Sequence, residues 1–151
     1  MKMEDISLHI LDIVENSIEA NASKIIIKIN EDIKGDWLTI EIKDNGRGMD
    51  EAIVKKVLDP FYTTRKTRKV GLGLSLLAHS AKESGGYIEI KSKPGEGTEI
   101  KVAFRYSNID RKPLGNINET LETLIIGNPG INFEYEYQNG DTKFGFDTSK
   151  I

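Results

Sequence analysis

The chain contains no cysteine among its 151 residues. That excludes disulfides, thiolate metal sites and a thiol nucleophile. Histidine occurs only twice, at His9 and His79, too few for a multi-histidine metal centre. No apolar run approaches the roughly 20 residues of a membrane-spanning helix. The opening Met1-Lys2-Met3-Glu4-Asp5 lacks the basic-then-apolar order of a signal peptide. A large excess of one charge is missing too: 21 basic against 24 acidic residues give a formal −3, with no global pull toward nucleic acid or an acidic membrane. No Gly-Lys pair occurs, so there is no Walker A loop. These absences leave a cytoplasmic protein of ordinary globular composition and about one domain's length.

What is present centres on Asp44-Asn45-Gly46-Arg47-Gly48-Met49. It follows an alternating segment, residues 37–43, that reads as a half-buried strand with Leu38, Ile40 and Ile42 on one face. One further step puts Asp44 on the core side, where a carboxylate is costly unless it has a partner. Alone, the stretch also reads as an ordinary Asx-type turn.

Residues 4–20 read as a helix with Ile6, Ile10, Leu11, Ile13, Val14 and Ile18 on one side. Asp5, Asp12, Glu15, Asn16 and Glu19 gather on the other, an acidic face in which Asn16 is a poor helix former placed mid-helix. Residues 24–30 form a strand with Ile25, Ile27 and Ile29 together. Asp50 is an N-cap for a short helix reaching Val57 or Leu58. Residues 59–70, with Arg65, Lys66, Arg68 and Lys69, read as an exposed, mobile basic loop. Gly71-Leu72-Gly73 then opens a helix over 72–84, with Leu72, Leu76 and Leu77 apolar. Amides at such a helix start bind anions. A dinucleotide fingerprint is excluded, because its third glycine position is Leu76 and no strand precedes it. Gly85-Gly86 ends the helix. Strands follow at 87–92 and 98–105, joined by a turn at Pro94-Gly95-Glu96-Gly97. Thr98 leads the row Ile100, Val102, Phe104.

Asn16 in a helix, Asp44-x-Gly46-x-Gly48, Phe61 and Gly71-x-Gly73-Leu74, in that order, resemble the GHKL ATP-binding domain of gyrase, heat-shock chaperone, histidine-kinase and mismatch-repair ATPases. The resemblance covers about residues 8–104. Pro60-Phe61-Tyr62-Thr63-Thr64-Arg65 followed by Gly71-Leu72-Gly73-Leu74-Ser75 is most similar to the catalytic domain of sensor histidine kinases. It implies an α/β (α+β) two-layer sandwich, a mixed, largely antiparallel sheet with helices packed on one face. It also implies ATP and Mg²⁺. Asp44 would accept the adenine amino group's hydrogen bond, with Gly46, Gly48 and Met49 around the base and Thr98 acting through water. Asn16 would offer an amide oxygen to Mg²⁺. The Gly71–Leu74 amides (Gly71, Leu72, Gly73, Leu74) would hold phosphates under a basic lid with Phe61, Thr64, Arg65 and Lys66.

Asp12 departs from both branches of the family, which place a general-base glutamate or an asparagine there. Its shorter side chain makes Glu15 the adjacent candidate for placing water. Glu19 stands where some kinases carry a phosphate-binding lysine. A preceding two-helix segment with a phosphoacceptor histidine is expected to be absent, and neither His9 nor His79 has that context. The resemblance therefore implies a stand-alone module whose protein phosphoacceptor or regulatory partner comes in trans.

Residues 1–106 would form the ATP-binding domain and 107–151 an accessory extension. The extension reads as a polar connector over 107–115, a helix over 116–126, and a hairpin of strands 131–138 and 143–147 turning at Asn139-Gly140. An isolated hairpin needs a partner surface, and the helix offers one. Packing is the plainer role for this extension; docking of a partner protein, or a homodimer contact, is the sharper one.

Overall fold

A computed structural model describes residues 6–57, 68–107 and 117–150; within these, the side chains of Leu8, Val57, residues 68–73 and Ser75 are not described. The elements run α1 (Ile6–Glu19), β1 (Lys24–Asp32), β2 (Trp37–Asp44), α2 (Glu51–Val57), α3 (Arg68–Glu83), β3 (Tyr87–Lys93), β4 (Gly97–Arg105), α4 (Ile117–Gly127), β5 (Asn132–Asn139) and β6 (Thr142–Asp147), closed by a 3₁₀ turn at Thr148–Lys150. The six strands of the described residues join one sheet in the order β3-β4-β2-β1-β5-β6. Every neighbouring pair is antiparallel except β1 with β5, which is parallel. The α/β expectation holds, and the sheet is mixed and largely antiparallel.

Alternation along the strands builds the core. Ile25, Ile27 and Ile29 of β1, Leu38, Ile40 and Ile42 of β2, and Ile100, Val102 and Phe104 of β4 are all buried. They meet Ile6, Ile10, Ile13 and Val14 of α1 and Leu74, Leu77 and Ala81 of α3. Each of these side chains except Ala81 contributes roughly 1.5–3 kcal/mol on full burial. Leu11 and Ile18 are only partly buried. Leu76, expected among the apolar positions of α3, is instead 43 % exposed. Leu74, Leu77, Ala78 and Ala81 hold that inner stripe, at helical spacing from one another.

The opposite sheet face carries charges in alternating sign. Glu89, Lys101, Glu41, Lys28 and Glu136 lie in register across five strands, and Lys91, Glu99 and Lys43 form the next row. Directly opposed charges of opposite sign support a sheet by a few tenths of a kcal/mol each.

Two boundaries differ from the sequence reading. Helix α3 begins at Arg68, so Gly71 and Gly73 lie inside its first turns instead of opening it. The reason is local: Arg68-Lys69-Val70 are acceptable helix formers, and a helix tolerates glycine at about 1 kcal/mol each. In the last hairpin Asn139 pairs with Thr142, so the two-residue loop is Gly140-Asp141, with Gly140 at φ 61°. The residues 58–67 and 108–116, which include Leu58, the lid and most of the connector, lie outside the described residues.

The hairpin finds its surface by edge pairing. β5 lies along β1 from Lys24–Asn132 to Glu31–Asn139 and so extends the main sheet. Phe133 and Tyr135 enter the common core with Ile117, Leu121 and Leu124 of α4. Tyr135 contacts Phe144 and Phe146, with ring centroids 6.2 and 5.5 Å away. The Tyr137 hydroxyl donates to Glu31 on β1.

Candidate functional site

Asp44 closes the inner row of β2 and is 9 % exposed. Its carboxylate has partners from two directions. The Ser17 hydroxyl donates to Oδ2 at 2.6 Å, from the buried side of α1. The Gly46 amide donates to Oδ1 at 2.8 Å, across the turn. Each carboxylate oxygen keeps a further lone pair. Across the sheet, Asp44 pairs with Thr98.

The residues after Asp44 are tied down one by one. The Asn45 side-chain oxygen accepts from the Ser23 and Lys24 amides at 2.9 and 3.0 Å, while its NH₂ donates to the Ser23 hydroxyl. The Arg47 amide donates to Ala20 O at 2.9 Å, and its guanidinium reaches Glu19 O. Both contacts satisfy carbonyls at the C-terminus of α1, where intrahelical donors run out. Gly48 has φ 72°, and a Cβ there would stand 2.0 Å from Lys93 O. Gly97 mirrors it: φ is 109°, and a Cβ would stand 2.1 Å from Asp44 O. Only glycine fits either position without strain.

Ser92 links the turn to the pocket. Its oxygen lies 3.0 Å from Gly97 O and 2.8 Å from Thr98 Oγ1, and it accepts from the Met49 amide at 2.7 Å. A serine has one proton to give, and a carbonyl can only accept. With that proton on Gly97 O, Thr98 donates to Ser92 and presents lone pairs to the pocket.

These groups surround a cavity of about 140 Å³. Of the residues singled out from sequence, it gathers Asn16, Glu19, Asp44, Gly48, Met49, Leu74 and Thr98. Ile13 and Ile100 supply apolar wall, and Ser17 lies beside Asn16. Gly46 stands behind Asp44 as its amide donor. Asp12 and Glu15 sit on the exposed face of α1 and are not among the lining residues. Gly71, Leu72 and Gly73 lie in the first turns of α3, of which only the backbone course is described. Phe61, Thr64, Arg65 and Lys66 lie outside the described residues. Among the described residues no group of three or more His, Asp or Glu side chains comes together as a metal cage. Asn16, with its amide oxygen, borders the cavity. His9 is buried at 2 % exposure, and His79 is exposed with Nε2 3.4 Å from Glu83.

Ser17 and Ser92 were missed in the sequence. A signal for each existed. Ser17 falls three and four residues after Val14 and Ile13, within the apolar stripe. Ser92 ends the inner row Ile88, Ile90, as Thr98 leads its own.

A family model described as histidine kinase-, DNA gyrase B- and HSP90-like ATPase matches residues 3–108. A putative sensor protein of Shewanella frigidimarina is 35 % identical over 103 residues, 67 % of this chain and 16 % of that protein. The sensor protein kinase FleS of Pseudomonas aeruginosa is 37 % identical over 89 residues, 59 % of this chain and 22 % of its own length. The chain thus spans less than a third of the length of these relatives. In fold, the Aquifex aeolicus MutL ATPase domain complexed with ADP is similar at TM-score 0.53 and 20 % identity, over 95 % of this chain and 64 % of that one. The N-terminal domain of a DNA repair protein is similar at TM-score 0.63 and 17 % identity, over 93 % of this chain and 51 % of that one. Both fold matches extend well past residue 108, where the family model stops.

Proposed function

We infer that this chain, which belongs to the family of histidine kinase-, DNA gyrase B- and HSP90-like ATPases, binds ATP in the Asp44 cavity and passes the γ-phosphoryl group to a partner protein in trans. The observation that carries the reading is the Asp44 carboxylate. It is buried beside apolar walls, held by Ser17 and Gly46, and still has lone pairs for a ligand's N–H donors. An acceptor-only group in that setting suits the exocyclic amino group of adenine. Thr98, its proton spent on Ser92, would receive the second amino hydrogen through a water. Gly48 and Met49 would border the base.

Mg²⁺ fits this site as an ion carried in with the phosphates. It prefers oxygen ligands and keeps several waters, so one amide oxygen from Asn16 suffices from the protein side. Bound there, the ion would neutralise phosphate charge. The amides of Gly71, Leu72, Gly73 and Leu74 would reach phosphates once the first two turns of α3 unwind, and the glycines at 71 and 73 make those turns cheap to open. Thr64, Arg65, Lys66 and Phe61 would belong to the covering segment. Transfer then rests on positioning and charge neutralisation: the bond from the γ-phosphorus to the bridging oxygen breaks, a bond to the acceptor forms, and ADP leaves.

The rival reading, a hydrolytic conformational switch, needs Asp12 or Glu15 to place a water. Both lie on the exposed face of α1, and the kinases among the relatives favour phosphoryl transfer to a protein over that reading. A third reading, an ATP sensor without chemistry, shares the same pocket. No helix among the described residues is long and apolar enough to cross a membrane, and we place the protein in the cytoplasm, where ATP is abundant.

The deciding experiment incubates the chain with γ-labelled ATP and a lysate of the source cell, with Asn16→Ala as control. An acid-labile phosphoprotein that disappears in the control is expected. Partner-independent release of free phosphate would replace this reading with the ATPase. Tight ATP binding with neither product would replace it with the sensor.

A further inference from the structure

We propose that two copies of this chain pair through β6, antiparallel, about a two-fold axis at Gly145. β6 is an outermost strand, and among the described residues no strand pairs with its outer edge. Among the described residues the helical layer stops short of it. Between α4 and β6 runs an apolar groove of about 400 Å³ lined by Leu121, Ile125, Phe144 and Phe146, and Phe144 is 53 % exposed. The opposite edge, β3, differs: α2 and α3 both pack on it, and Ile88 and Ile90 join the core. Among the described residues, only the β6 edge combines unpaired backbone with an uncovered aromatic row.

The sequence of β6, Thr142-Lys143-Phe144-Gly145-Phe146-Asp147, matches itself in one register. Directly opposed residues of an antiparallel pair lie on the same face. Centring the pair on Gly145 sets Lys143 opposite Asp147 of the second copy, twice by symmetry. On the other face it sets Phe144 opposite Phe146, also twice, over the two grooves. Shifting the centre to Phe144 or Phe146 keeps the faces aligned but loses both ion pairs. Such an isologous contact needs only one surface patch. A lysine on an edge strand ordinarily discourages pairing with other edges. Here an identical edge carries the matching aspartate, so the guard against strangers becomes a preference for self.

The charges are available for this role. Lys143 lies 3.5 Å from Glu136 in its own chain, and both are partly exposed. Asp147 accepts from the Ser149 amide and hydroxyl at 2.9 and 2.7 Å through Oδ1, and Lys150 and Lys24 of its own chain act on it only through charge; among the described residues no hydrogen bond reaches Oδ2. Neither residue lies near the Asp44 cavity, so the interface stands apart from the nucleotide reading.

Sedimentation equilibrium of the full chain tests the proposal. The expected result is a species of twice the chain mass. Lys143→Asp and Asp147→Lys, each alone, oppose like charges twice and are expected to weaken the dimer at least tenfold. An equimolar mixture of these two variants is expected to dimerise again, because each substituted position then faces its opposite charge on the other variant. Phe144→Ser, altering a half-exposed side chain, is expected to weaken the dimer in every background while circular dichroism stays unchanged. A wild-type chain that stays monomeric overturns the proposal. So does a dimer indifferent to both charge reversals, or a mixture no tighter than its components.

Discussion

Ser17 on helix α1 donates a 2.6 Å hydrogen bond to Asp44 at the end of strand β2, joining two of the elements that line the cavity. The bond fixes which carboxylate lone pairs remain for a ligand. Ser17→Ala removes the donor and leaves a buried carboxylate oxygen short of a partner, a loss of about 1–3 kcal/mol. The expected outcome is a lower denaturation midpoint together with ATP affinity reduced about tenfold, read by chemical denaturation and calorimetry.

Asp44→Asn keeps the shape and an oxygen for Ser17 or Gly46 but replaces an acceptor by a donor where the adenine amino group would arrive. A charge-assisted hydrogen bond is worth about 1.5–3 kcal/mol, and a facing donor adds repulsion. Calorimetry is expected to show ATP affinity down about a hundredfold with the fold retained. Unchanged affinity would remove Asp44 from the nucleotide site.

Gly48→Ala tests the close approach of the two turns. The new Cβ would stand 2.0 Å from Lys93 O at a φ of 72°, so the turn at Gly95 must shift or the strand ends must part. We expect a loss of at least about 2 kcal/mol, from backbone strain and lost turn contacts, measured by urea unfolding.

Asn45→Ala deletes three side-chain hydrogen bonds to Ser23 and Lys24. These bonds are exposed, so their combined contribution is modest, about 1–2 kcal/mol. Hydrogen exchange at the Ser23 and Lys24 amides is expected to accelerate in the variant while the β4 amides keep their protection.

Burial, with Tyr137 and Glu31 nearby, pushes the Tyr135 phenol from 10.0 up to about 12. Its neutral form is favoured in the folded chain, so this contribution to stability is complete below pH 10 and is lost as the pH rises toward about 12. Burial and the hydrogen bond to Glu31 raise the Tyr137 phenol as well, so ultraviolet titration is expected to show Tyr135 and Tyr137 ionising late, Tyr135 together with loss of structure. Tyr135→Phe should flatten the stability profile across that window.

Much of the fold was legible because alternation and helical spacing are local signals. The inward rows of β1, β2 and β4 follow from parity alone, and the Asp50 cap of α2 is met by the Ile53 amide at 2.9 Å. Asp44 was legible for the same reason, being one step beyond Ile42. Ser17 was not singled out, because a serine in an apolar stripe acquires meaning only when a strand 27 residues later brings a carboxylate to it. The pairing of β5 with β1 was also hidden: parallel neighbours leave no short turn between them, and a whole helix intervenes. The start of α3 was misjudged because glycine was read as an opening, whereas the preceding basic residues continue the helix backward.

The alternating charges on the outer face of the sheet have a further effect. Keeping the isoleucines inward, a strand can slip only by two residues. Slipping β4 against β2 by two in one direction would set Lys101 opposite Lys43, and in the other Glu99 opposite Glu41. Slipping β3 against β4 sets Lys91 against Lys101, or Glu89 against Glu99. The solvent-side charges thus act as a key that admits one alignment of the strands. Through that alignment, side chains that never meet the cavity keep Asp44 opposite Thr98.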